Sequence, residues 1–200
     1  MKNIFYLALF LSSSVFGQMQ SKSKISPQIY SMMDSAITLF KSGNNKQAFL
    51  IYDRITQLDS NNIDILEVKG GWELALKNYH RALETSLRKA KLKPEEPRYQ
   101  LGVGSLYLKV GDKVNARPFL AKAIRLCDKI LDTLNSHDKD NYSRYSLYKA
   151  LATVFNGNET IGNKLLFELY KYEGESQGSA AYQYLNKSKA ELLKIWLGEK

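Results

Sequence analysis

The stretch GNNKQAFLIYDRITQLDSNN, residues 43–62, is echoed twice further along the chain, by KNYHRALETSLRKAKLKPEE at 77–96 and by GDKVNARPFLAKAIRLCDKI at 111–130. Laid one beneath another, Ala48, Ala82 and Ala116 share a column at a spacing of 34 residues, and Asn44, Asn78 and Asp112 share a second. A third column holds Asp59, Lys93 and Cys127, so the echo is of shape and not of every letter. Self-similarity at a fixed period of this length marks a chain built from one repeated supersecondary unit. Counting back from the alanines gives units 29–62, 63–96 and 97–130. In the first, IYSMMDSAITLFKSG sets Met32, Met33, Ala36, Ile37, Leu39 and Phe40 at helical spacing. GNN then makes a turn, and KQAFLIYDRITQL puts Ala48, Ile51, Tyr52, Ile55 and Leu58 on one stripe.

Small residues recur where paired helices have to touch. Ala36, Gly70 and Gly104 share a column in the first helix of each unit. Glycine inside a helix costs about 0.5–1 kcal/mol against alanine, so two of them at one repeat position imply close backbone approach. Tyr52, Tyr107 and Leu120 fill the space on either side. Pro118 is expected in the first turn of its helix, where its missing N–H does no harm, and Pro94 at the end of a unit, where a helix stops. After the loop NSHDKDN a fourth unit, 143–176, restores the register with Ala150, Gly157, Gly162 and Leu166. GESQG is then a turn, and SAAYQYLNKSKAELLKIWL reads as a final amphipathic helix within 177–200 that caps the stack.

Gly104, Tyr107, Gly111, Ala116, Leu120 and Ala123 of the third unit resemble the tetratricopeptide repeat, as do Gly70, Ala82 and Pro94 of the second and Ala36, Gly43, Ala48 and Tyr52 of the first. Departures fall at Glu73, where an aromatic is usual, at Ser86, where a large residue is usual, and at Ile55, where alanine is usual. The resemblance implies an all-α fold: a right-handed superhelix of about four helix pairs over 29–176, followed by a C-terminal capping helix. It also implies that the first helix of each pair lines an inner groove. The positions that face such a groove supply Tyr30, Met33, Ile37, Glu67, Arg98, Ser105, Lys109 and Arg144 as candidate partner-binding residues. Tyr30, Met33 and Ile37 would form an apolar entry, and Arg98, Lys109 and Arg144 a basic stretch. A groove of that kind suits a peptide or protein segment with an acidic group beside apolar anchors. The Lys/Asn clamp by which chaperone-binding members of the family hold a C-terminal carboxylate is not matched, because Met33 and Ile37 stand at two of its positions.

Composition agrees with an ordinary globular protein, 44% hydrophobic and 24% charged, with a formal net charge of +9. Residues 97–130 carry seven Lys and Arg against two Asp, but no basic run is interleaved with aromatics, so a nucleic-acid partner is not expected. The one cysteine, Cys127, sits among Ile124, Leu126, Ile130 and Leu131 and reads as a buried structural thiol. His80 and Glu84 lie four apart on a helix but lack a third metal ligand. His137, Asp138 and Asp140 lack the glycine and glutamate of a calcium loop. No catalytic motif occurs, and no enzyme activity, cofactor or metal is expected.

MKNIFYLALFLSSSVFGQ reads as a secretory signal peptide over 1–17, with Val15 and Gly17 at the positions a signal peptidase reads. Its short basic start and its ending resemble those of exported bacterial proteins. Residues 18–28 read as a linker, and no further apolar run is long enough to cross a membrane. The leading expectation is a periplasmic or secreted repeat protein that binds another protein in its groove. The alternative is a self-associating structural or assembly subunit, such as a homodimer, which would expose Leu193 and Trp196 on its last helix.

Overall fold

The computed structural model describes residues 25–135 and 138–199, so the signal peptide, most of the linker and His137 lie outside the described residues. Among those residues the fold is all-α. Eight helices follow one another as α1 (Pro27–Lys41), α2 (Asn45–Leu58), α3 (Ile63–Ala75), α4 (Tyr79–Leu92), α5 (Pro97–Lys109), α6 (Lys113–Leu131), α7 (Lys139–Phe155) and α8 (Glu159–Tyr172). A 3-10 turn, Tyr182–Tyr184, and a short helix α9 (Lys189–Trp196) complete the chain.

Side-chain caps set the starts. Ser26 accepts from the Ile29 N–H with Pro27 at the first helical position, and Asn62, Asp112, Asp138 and Asn158 cap α3, α6, α7 and α8 in the same way. Three residues separate α1 from α2, α5 from α6 and α7 from α8, and each of these pairs packs side by side. Connections that short make each pair an antiparallel hairpin. The three turns carry Gly43, Gly111 and Gly157, with φ of 83°, 90° and 103°. The α3–α4 turn has Lys77 in the same column, held at φ 57° without glycine's freedom.

The chain divides after Thr85, within α4, into two compact units. Unit one is built around an aromatic cluster. Trp72 stacks on Phe40 at 4.5 Å and meets Tyr52 edge-on at 4.5 Å, with Phe49 edge-on at 6.3 Å. Met33, Ala36, Ala48 and Ile55 pack around it with no exposed surface. Unit two has an aliphatic core of Leu101, Leu120, Leu151, Val154 and Leu166. Its helices meet at glycines. A Cβ on Gly104 would lie 2.6 Å from Leu120, and one on Gly162 would lie 2.3 Å from the Val154 side chain and 2.9 Å from the Ala150 carbonyl.

Two local expectations change. Pro118 is the sixth residue of α6 and not in its first turn, so it removes one internal hydrogen bond. The single last helix expected across SAAYQYLNKSKAELLKIWL is broken. Asn186 adopts a left-handed φ of 55°, and Ser188 restarts the chain as α9 through a capping box with Glu191.

Candidate functional site

In unit two, α5 and α7 are the first helices of their hairpins and lie against each other. Their N-terminal halves carry Arg98 and Arg144. Arg98 is exposed; its guanidinium donates to the Tyr99 hydroxyl at 3.0 Å and lies 4.9 Å from that ring's centre. Arg144 is exposed and donates to Asn141 Oδ1 at 3.0 Å. Both guanidinium charges act on Tyr145 and Tyr148, two half-buried rings of α7 in edge-to-face contact at 6.1 Å. Burial raises the pKa of the Tyr148 hydroxyl, while Arg98 and Arg144 pull it back. The Glu96 carboxylate acts on the same two rings in the opposite sense, so two positive charges and one negative stand beside the tyrosines.

The C-terminal halves of the same helices are covered by the chain's own end. Leu192 of α9 is fully buried in one cluster with Leu151, Val154 and Phe155. Trp196 meets Tyr148 edge-on at 5.8 Å. Lys189 Nζ donates to the Phe155 carbonyl at 2.8 Å, and Lys109 Nζ stands 2.7 Å from the Glu199 carboxylate. Leu193 and Trp196 are therefore half-buried against unit two, and the exposed self-association face expected of them is not formed.

The remaining candidates divide between surface and core. Tyr30 and Ile37 are half-buried on unit one and Glu67 is half-buried on α3. Met33 and Ser105 have no exposed surface, and the Ser105 hydroxyl is spent on the Leu101 carbonyl at 2.7 Å. These two belong to the core and not to a binding face, because the contact between paired helices claims them. His80 and Glu84 are both exposed on α4, and the described residues hold no group of three His, Cys, Asp or Glu placed to bind a metal. Burial pushes the Cys127 thiol up to about 12, which leaves no thiolate near neutral pH.

Sequence reasoning missed a charge network in unit one. Asp53 lies 2.7 Å from both Lys69 Nζ and Arg81 Nη2, and Arg81 Nε lies 3.5 Å from the buried Glu73 carboxylate. Burial raises the Asp53 pKa, but the bonds from Lys69 and Arg81 outweigh it and hold the carboxyl below its ordinary value. For Glu73 burial wins over Thr85, Lys69 and Arg81, and its pKa is raised. The departure of Glu73 from the repeat pattern was the signal that could have found it.

A comparison with family profiles finds no match, and one with curated protein sequences finds none. Among solved structures, the chain is similar to the type III secretion translocator chaperone SycD of Yersinia enterocolitica, at 18% identity over 68% of this chain and 99% of that one, with a TM-score of 0.45. A second structure of SycD gives 19% identity over 60% and 87%, with a TM-score of 0.43. PcrH from Pseudomonas aeruginosa gives 17% identity over 66% and 96%, with a TM-score of 0.46.

Proposed function

We propose that this chain is a non-catalytic, exported scaffold that binds an acidic segment of another protein on the α5/α7 face of unit two. The observation that carries the reading is that two exposed arginines from helices packed on each other, Arg98 and Arg144, both act on Tyr145 and Tyr148, where they outnumber the Glu96 carboxylate. A face preformed on packed helices binds with little ordering entropy opposing it. Export, to the periplasm or beyond, rests on the apolar leader followed by Val15 and Gly17.

The test is cross-linking of the tagged chain in its native host envelope, beside a variant with Arg98→Glu and Arg144→Glu. The expected result is one dominant partner, lost at least about tenfold in the variant, as the removal of close charge pairs predicts. A partner fully retained by the variant would move the interface elsewhere. A second reading, self-association, is favoured by Ile161, Phe167 and Tyr172, which stand 51%, 48% and 45% exposed on α8. Recovery of the chain alone, cross-linked to itself, would select it.

A further inference from the structure

The α9 segment is attached to unit two in the manner of a ligand. It is eight residues long, below the length at which an isolated helix persists in water. Its order therefore depends on its capping box and on the surface beneath it. That surface is the C-terminal half of α7 and the end of α5, adjoining the N-terminal halves that carry Arg98 and Arg144. The contact has the parts of a helix-in-groove complex: a buried anchor at Leu192, an aromatic at Trp196, and a charge pair from Glu199 to Lys109. The stretch from Gly174 to Lys187 that connects it to α8 holds one 3-10 turn and three left-handed residues, Gly174, Glu175 and Asn186. Ala181 and Tyr184 are buried and anchor the tether, while Asn186 is exposed, so the segment able to detach begins after Asn186.

We propose that residues 188–199 are a displaceable internal ligand of the α5/α7 face, and that the external partner of this face is an amphipathic helix of the same chemistry: a Leu/Ile and Trp stripe followed by an acidic residue for Lys109. The inference rests on the proposed binding face, but it is tested without the external partner. The internal helix holds the C-terminal half of the face, beside Arg98 and Arg144, and keeps its apolar surface from water until a competitor arrives. A tethered ligand competes at high effective concentration, so it lowers apparent affinity for weak partners and selects strong ones.

The probe is the synthetic peptide SKAELLKIWLGEK, residues 188–200. The protein is the full chain and a form ending at Lys187, with circular dichroism reporting whether the latter is folded. The folded truncated form is expected to bind the peptide saturably, and the full chain at least about tenfold more weakly. Lys109→Glu is expected to weaken binding to the truncated form about tenfold, and a peptide with Glu199→Lys to restore it. A folded truncated form that ignores the peptide, or a charge swap that fails to restore binding, overturns the proposal. Where the truncated form does not fold, a site-specific protease site at the exposed Asn186 of the full chain allows α9 to be cut free in place. Exchange of the cut segment for labelled peptide is expected; a segment that never exchanges is part of the core and overturns the proposal. Either negative result leaves the partner test on Arg98 and Arg144 intact, so the two readings fail separately.

Discussion

Unit one and unit two follow one 34-residue template and solve its packing problem with different chemistry. Unit one fills the space between helices with rings, Phe40, Phe49, Tyr52 and Trp72, and closes its edge with Asp53, Lys69, Glu73 and Arg81. Unit two uses aliphatic side chains, lets helices touch at Gly104 and Gly162, and finishes with a helix folded back onto its own first-helix face. The difference teaches that the repeat specifies where small residues and turns must fall, while the filling is free to vary. Unit two carries Arg98, Arg144 and the helix proposed to be displaceable, whereas unit one ties Asp53, Lys69, Glu73 and Arg81 into one network.

The comparison can be broken most readily at Trp72. If its ring carries the core of unit one, Trp72→Ala costs about 3–5 kcal/mol in urea unfolding followed by circular dichroism. A cost near that of a surface substitution would mean that the remaining rings close over the gap. In unit two the corresponding test is Gly162→Ala. The new methyl meets the Val154 and Ala150 backbone, which cannot yield, and overpacking of this kind costs about 1–3 kcal/mol despite alanine's better helix propensity. Gly104→Ala is expected to cost less, because its nearest atoms belong to the flexible Leu120 side chain.

A third test uses Lys77, the one hairpin turn residue in its column that is not glycine. Lys77→Gly removes left-handed strain of about 1–2 kcal/mol and adds chain entropy to the unfolded state, for a net gain of about 0.5–1 kcal/mol. The same unfolding assay reads it. The smallest effect is one of pH. Glu73 has a folded-state pKa raised above its unfolded value, so its contribution is fully present below the unfolded pKa and is lost as pH rises through the folded one. Glu73→Gln is expected to remove that decline above the ordinary glutamate range. Below about pH 3, where the carboxyl is neutral in both states, the change should stay within about 0.5 kcal/mol. Asp53 acts in the opposite sense: its stabilisation is present above the ordinary carboxylate value and is lost as acid lowers the pH through its depressed one.

The helical pairs were legible because small residues at a fixed period leave few other folds: Ala48, Ala116 and Gly104 all lie buried where paired helices meet. Arg98 and Arg144 were proposed from position in the repeat, and both lie on the surface. Met33 and Ser105 were misplaced because a position beside a groove and a position in the seam differ by a fraction of a helical turn, which periodicity does not resolve. The break at Asn186 was missed because its neighbours Tyr184, Leu185 and Leu192 keep helical spacing across it, while the left-handed residue and the capping box that enforce the restart are local chemistry. The fold-back of α9 depends on Lys109, Phe155 and Tyr148, residues 34 to 90 positions away, and no local pattern announces contacts of that range.

Hydrogen exchange on the intact chain tests the central claim most directly. A displaceable internal ligand opens locally, so the amides of Lys189–Trp196 should exchange at least about tenfold faster than those of the buried turns of α5 and α7, and without global unfolding. Exchange of α5, α7 and α9 together, in one cooperative step, would contradict the account and make the last helix a fixed part of the core.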